Sequence, residues 1–299
     1  MTFTSGTGAY QYDDKAVRED LLSVLTNLSP TETQLVSGLG QSSAASVLHE
    51  WLTDTLGSVK TNAATEGADF AYPTLTNPTR LFNYTQIFTQ PYQVSGTERS
   101  VNTAAFNDRF SYEATKAMKM IKNDMEYAVL RGSLACGTGS AARRLQGIKN
   151  FLSLVTSQSG VSMSENTLND MLQTQWDNGS ETNAIYGGMY IKRKISGFTA
   201  GATKNVETTD RRLVNSVDVY EADAAKLVKL FAHRYMTIAG DTNYDVMGLD
   251  EDKFRIAYLR KPQTLELAKT GDSDKGAILT EATVECLHQN AGFLLKAVL

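Results

Sequence analysis

AFNDRFSYEATKAMKMIKNDMEYAVLR, residues 105–131, is the most regular stretch of the chain. Phe110, Ala114, Ala117, Ile121, Met125 and Ala128 recur at spacings of three and four, which places them on one helical face. Gly132 follows and stops the helix. A helix over these 27 residues is about 40 Å long, more than a compact domain of this size requires. Its opposite face carries Lys116, Lys119, Lys122 and Glu126, a charge run that reads as solvated or facing another chain.

The stretch before this helix has a different character. Residues 46–100 hold ten threonines and three of the five prolines, with few charges. Thr and Tyr favour strands. HEWLTDTL (49–56) reads as one strand and NYTQIFTQPYQVSG (83–96) as another, with Tyr84, Phe88, Tyr92 and Val94 on one face. About 25 residues separate them, and a loop of that length is usually functional. The pattern predicts a long two-stranded arm leaving its own core. An isolated hairpin is not stable alone, so a neighbouring subunit is its natural support.

Towards the N-terminus, residues 1–15 lack periodicity and AVREDLLSVLTN (16–27) predicts a helix that Ser29-Pro30 ends. Beyond the long helix, residues 133–145 form a small-residue loop. Residues 163–176 predict a helix with Leu168, Met171, Leu172 and Trp176 inward. A short strand at AIYGG (184–188), a helix at Tyr190–Ile195 and a polar loop at 197–212 follow. LVNSVDVYEA (213–222), KLVKLFAHRYM (226–236), KFRIAYL (253–259) and 278–287 then read as strands.

The chain has 299 residues, 29 basic against 33 acidic, and 41% hydrophobic residues, which suits one elaborate domain or two modest ones. The charge balance argues against a dedicated DNA binder, which needs a basic footprint. No apolar run approaches a membrane span. The polar start, MTFTSGTGAYQYDDK, does not read as a signal peptide. Cys136 and Cys286 make no disulfide framework.

Catalytic signatures are missing where they are sought. His49 opens HEWLT, and position 53, where a zinc helix needs its second histidine, is Thr53. His233 and His288 read as strand histidines. The run from Gly271 to Gly276 has Ala277 where a phosphate loop needs lysine. Asp250–Asp252 and Asp272–Asp274 lack the glycine and glutamate of a calcium loop. No cofactor is expected, and the balance moves towards a structural or binding protein.

The order of elements is a polar arm, a long hairpin, a long helix, an α/β insertion and returning strands. LSPTETQLVSGLG (28–40), HEWLTDTL (49–56), NYTQIFTQPYQVSGTERSV (83–101), NDMEYAVLRGS (123–133), ARRLQGIKNFL (142–152), AHRYM (232–236), LDEDKFRIAYLRK (249–261) and LAKTGDSDKG (267–276) occur together and in that order. In these the chain resembles the major capsid proteins of tailed bacteriophages, of the podovirus type, which share the Hong Kong-97 fold. The resemblance implies an α+β subunit. Its parts are an N-terminal arm at 1–45, an extended E-loop hairpin at 46–100 and a peripheral P-domain with the spine helix at 101–160. An axial α/β A-domain at 161–245 and returning P-domain strands at 246–299 complete it.

It also implies a self-assembling icosahedral shell of pentamers and hexamers around double-stranded DNA, without sequence-specific binding. Portal, scaffolding and decoration proteins are the further partners. No membrane is involved, and assembly in the host cytoplasm is expected. Arg131, Arg143 and Arg144, after the long helix, suit inter-subunit carboxylates. Glu98 and Arg99, where the E-loop joins the P-domain, suggest a hinge salt bridge. Lys60 is the one lysine of the E-loop stretch, and cross-linking through it is not expected. A tail-tube or decoration protein, an encapsulin-like shell and an enzyme are the alternatives.

Overall fold

The computed structural model describes residues 33–57, 59–67, 69, 72, 74–75, 77–101, 108–158, 160–198, 219–221, 227–237 and 244–298. The N-terminal arm at 1–15, the helix at 16–27, the polar loop from 199 onward and the start of the 213–222 strand lie outside the described residues.

In chain order, α1 (Gln34–Gly38) leads to β1 (Gly40–Ser43), β2 (Leu48–Thr53), β3 (Thr79–Tyr84), β4 (Gln86–Ser95) and α2 (Gly96–Ser100). The long helix α3 (Arg109–Arg131) follows, then α4 (Ile148–Phe151), β5 (Leu154–Ser157), α5 (Glu165–Asp177), β6 (Ala184–Gly187) and α6 (Met189–Ser196). The chain ends with β7 (Val219–Glu221), β8 (Leu227–Ala232), β9 (Tyr244–Leu249), β10 (Phe254–Leu267), β11 (Ser273–Cys286) and β12 (Gly292–Val298).

Three sheets result. The first has the order β1-β10-β11-β4, the second β5-β12-β9-β6-β8-β7, and β2 pairs with β3 alone. The C-terminal stretch feeds two of them: β10 and β11 join the first sheet, β9 and β12 the second. The stretch 46–100 divides as well, since β4 is an edge strand of the first sheet. Its edge position explains Pro91, which lacks the N–H an inner strand would need.

The spine helix lies on the first sheet. Asp108 caps it, accepting the N–H of Phe110 at 3.1 Å. Ala117, Ile121, Met125 and Ala128 are buried as the periodicity predicts, against Phe88, Tyr92, Ile278, Ala282 and Val284. Tyr92 crosses the Phe110 ring at 5.1 Å between centroids. Gly276 permits this approach, because a Cβ there would lie 2.5 Å from the Tyr92 ring. A second core, with Leu168, Ile185, Ile191, Val246 and Phe293, fills the space between the second sheet and its helices α5 and α6.

Several expectations are corrected. Glu126 does not join the solvated lysine face: it is fully buried. The last two turns of α3 are enclosed on more than one side, with Met125, Glu126, Ala128, Val129 and Leu130 all buried. Trp176 is 56% exposed, and Gln175 is the buried residue of that turn. The stripe Leu168, Met171, Leu172 continues at 175, seven residues after the first, so helical geometry favours Gln175. The 83–96 strand is two strands, broken at Thr85, where the chain passes from one sheet to the next. KLVKLFAHRYM ends as a strand at Ala232, and Arg234–Met236 forms a single 3-10 turn.

Candidate assembly surfaces

The arm begins at a firm base. β2 and β3 pair antiparallel from Leu48–Tyr84 to Thr53–Thr79. Trp51 is buried, and its Nε1 donates to the Cys286 carbonyl at 2.7 Å. Asn83 has no exposure and uses its whole amide. Its Nδ2 donates to the carbonyls of Val284 (2.8 Å) and Gln146 (3.1 Å), and its Oδ1 accepts the N–H of Gln146 (2.8 Å) and Tyr84 (2.9 Å). An asparagine so used is fixed, since every donor and acceptor has a partner. Beside it, the Thr85 hydroxyl donates to Glu281 at 2.7 Å.

Beyond the base the support ends. Leu52 is 65% exposed, Leu56 and Val59 completely, and Tyr72 and Leu75 about nine-tenths. Single exposed apolar residues are ordinary, but five large ones in one connection make this stretch a candidate contact surface. Fully burying such a side chain contributes about 1.5–3 kcal/mol. Lys60 lies in the same connection and is exposed.

The expected arginines have specific places. Arg131 forks over two carbonyls of its own chain, Tyr235 (Nε, 2.7 Å) and Met236 (Nη2, 2.6 Å). Arg143 donates from Nε to the Thr85 carbonyl at 2.8 Å and from Nη2 to the Glu281 carboxylate. Both forks are used within the chain. Arg144 pairs through its backbone with Ala135 and leaves its side chain exposed. Burial pushes the Glu281 carboxyl up, but Thr85, Arg143 and Arg260 together hold it below its ordinary range.

Glu98 and Arg99 do not form the expected pair. Ser95 caps α2 by accepting the Glu98 N–H at 3.2 Å. Arg99 reaches Asp274 on β11 and lies 3.8 Å from Asp108, with its guanidinium over the Phe110 ring. The geometry prefers these because adjacent residues on a helix point in different directions. Lys269 and then Arg99 hold the Asp274 carboxyl below its ordinary value. On the outer face of α3, Lys116 pairs with Glu113 at 3.7 Å, Lys122 donates to Ser37 at 2.9 Å, and Lys119 is exposed.

His233 and His288 make hydrogen bonds, whereas His49 Nε2 is buried and makes none among the described residues. His49 lies 3.9 Å from Glu285, and His288 Nε2 is 3.3 Å from the Asn178 carbonyl. His233 Nε2 meets Glu126 Oε1 at 2.8 Å. The same Glu126 carboxylate accepts the N–H of Leu35 and of Val36, both at 2.7 Å, so it joins α1, α3 and the end of β8. Burial pushes the Cys286 thiol up to about 12, while Cys136 is exposed. Among the described residues no cluster of His, Cys, Asp and Glu is arranged to hold a metal. No helix among them is long and apolar enough to cross a membrane.

The surfaces are therefore those of a building unit: an anchored arm with an uncovered apolar end, set beside a helix-backed sheet. The family model of the SU10 major capsid protein matches residues 2–298. The chain belongs to the SU10 major capsid protein family. It is a structural protein of a phage virion. The major capsid protein of Escherichia phage Phieco32 is 30% identical over 122 residues, 40% of this chain. That match spans 35% of the relative's own length.

The fold of this SU10-family protein is the Hong Kong-97 fold of phage capsids. It superposes on the capsid of the native GTA particle with a TM-score of 0.66, covering 98% of this chain and all of that one at 12% identity. A chain of Gordonia phage Cozz gives 0.64 at 10% identity, with 94% of this chain and 91% of that one covered. At these identities the likeness is one of fold alone.

Proposed function

We propose that the protein is the repeating subunit of an icosahedral shell, assembling as pentamers and hexamers around packaged double-stranded DNA. The observation that carries this reading is the arm: its base is fixed by Trp51 and Asn83, and among the described residues its apolar side chains Leu56, Val59, Tyr72 and Leu75 stand exposed. A neighbouring copy supplies their cover. In this reading 46–100 carries the E-loop, the first sheet with α3 is the peripheral P-domain, and the second sheet with α5 and α6 is the axial A-domain.

Each subunit then buries several interfaces at once, in the obligate range of about 2,000–5,000 Å². No single contact need be strong, because many act together. Of the residues singled out from the sequence, Arg144 and Lys60 keep exposed side chains that can reach a neighbour. Portal, scaffolding or decoration proteins are the further partners, and assembly takes place in the host cytoplasm. The near-neutral charge lets packaged DNA slide without tight binding.

The test is electron microscopy of the purified protein with sedimentation at rising concentration, with and without a candidate scaffold. Closed shells, or pentamers and hexamers, are expected. Long tubes of constant narrow bore, or a monomer that persists with the scaffold present, would overturn the reading. A strong, salt-dependent affinity of the subunit for DNA would overturn the sliding surface alone.

A further inference from the structure

Arg131 and Arg143, on either side of the turn after the spine helix, each grip another part of their own chain. Arg131 holds the turn that follows β8, through the carbonyls of Tyr235 and Met236. Tyr127, one turn earlier, meets the Tyr235 ring edge-on at 5.9 Å. Arg143 and Gln146 hold the arm base, through Thr85, Glu281 and both ends of the Asn83 amide. The two grips lie at the two ends of one short segment.

That segment folds back on itself. Ala135 and Arg144 exchange backbone hydrogen bonds of 3.1 and 3.0 Å, and Gly147 donates to Gly132 at 2.8 Å. Asn150 closes the same point, its Nδ2 donating to the Gly132 carbonyl at 2.7 Å. Backbone packs directly on backbone here: a Cβ on Gly147 would lie 2.5 Å from the Gly132 nitrogen, and one on Gly132 2.5 Å from the Leu145 carbonyl oxygen. Leu145 and Ile148 anchor it with no exposure. Tight packing of this kind transmits a displacement rather than absorbing it.

We propose that residues 131–147 are a rigid link that ties the direction of the β2–β3 arm to the 233–236 turn of the second sheet, with Arg131 and Arg143 as its positioning residues. A shift of the second sheet relative to the spine helix then moves the arm base, and a shift of the arm is felt at the turn. Subunits placed in slightly different surroundings would adjust the two parts together instead of independently. The link is a property of the single chain and does not depend on shell formation.

Hydrogen exchange read by mass spectrometry on the purified subunit tests it, using Arg131→Lys and Arg143→Lys. Lysine keeps the charge but lacks the rigid planar guanidinium fork that fixes two N–H groups on two separate carbonyls. Arg131→Lys is expected to speed exchange roughly tenfold at the amides of 83–86, which Arg131 does not touch, as well as at 233–236. Arg143→Lys is expected to do the reverse, reaching 233–236 from the arm side. Changes confined in each variant to its own end would overturn the link. So would no change at either end, or exchange throughout the chain in both variants, because a link between two bodies leaves each body folded.

Discussion

Glu126 offers the most demanding test of the structure. Its carboxylate has no exposure and receives three donors: the N–H groups of Leu35 and Val36 at 2.7 Å and His233 Nε2 at 2.8 Å. Glu126→Ala leaves all three buried without an acceptor. Hydrogen bonds to a charged group contribute about 1.5–3 kcal/mol each. Three together set an upper range of about 5–9 kcal/mol, from which the cost of burying the charge must be subtracted. Leaving a buried donor without its acceptor costs about 1–3 kcal/mol, and with three such donors about 4 kcal/mol is the expected loss. That is a large share of a typical folding stability of about 5–15 kcal/mol.

Urea unfolding of the dissociated subunit, followed by tryptophan fluorescence, measures it. The midpoint should fall with little change in slope. Glu126→Gln should cost less, since its amide keeps the volume and one acceptor, but its NH₂ must face a donor. The double variant Glu126→Leu/His233→Leu should recover only part of the loss, because the two backbone N–H groups still lack a partner. A loss under about 1 kcal/mol for Glu126→Ala would refute the reasoning: water, not the carboxylate, would then be satisfying these groups.

Four further outcomes are expected. Leu56→Asp with Leu75→Asp should abolish particle formation in sedimentation while leaving the subunit's melting temperature unchanged; an unchanged particle yield would count against an arm covered by a neighbour. Glu281 is held below its ordinary value, so its contribution is present above the unfolded carboxylate range and is lost as pH falls through the lower, folded value. Glu281→Gln should therefore flatten the acid side of a plot of melting temperature against pH, and a parallel curve would reject that role. Gly276→Ala should cost about 1–3 kcal/mol by forcing its Cβ into the Tyr92 ring, with partial recovery when Tyr92→Leu is added; additive losses in denaturation would contradict the contact. A thiol reagent should label Cys136 at once and Cys286 only after unfolding, and equal rates by mass spectrometry would refute the burial of Cys286.

What could be read in the sequence depended on periodicity and distance along the chain. The spine helix was legible because its apolar stripe runs unbroken to Gly132, and β4 because Phe88, Tyr92 and Val94 alternate with exposed residues. The role of Glu126 was not, since its partners lie 91, 90 and 107 residues away and no local pattern marks them. In isolation Glu126 continues a row of lysines. β12 escaped for a different reason: Phe293, Leu294 and Leu295 are buried on both faces of an inner strand, so no alternation announces it. The arginines after the helix were read as partners for a neighbour's carboxylates, whereas Arg131 and Arg143 hold groups of their own chain. Which carbonyls Arg131 and Arg143 would hold, 104 and 58 residues away, only the fold decides.

The uncovered end of the arm also sets a thermal character. Leu56, Val59, Tyr72 and Leu75 stand in water in the single chain. Covering them releases ordered solvent, so that part of the association is driven by entropy near room temperature and carries a negative heat-capacity change. Such contacts weaken on cooling. A lattice closed through this arm is tightened by warmth, and chilled subunits should remain apart at concentrations where warm ones join.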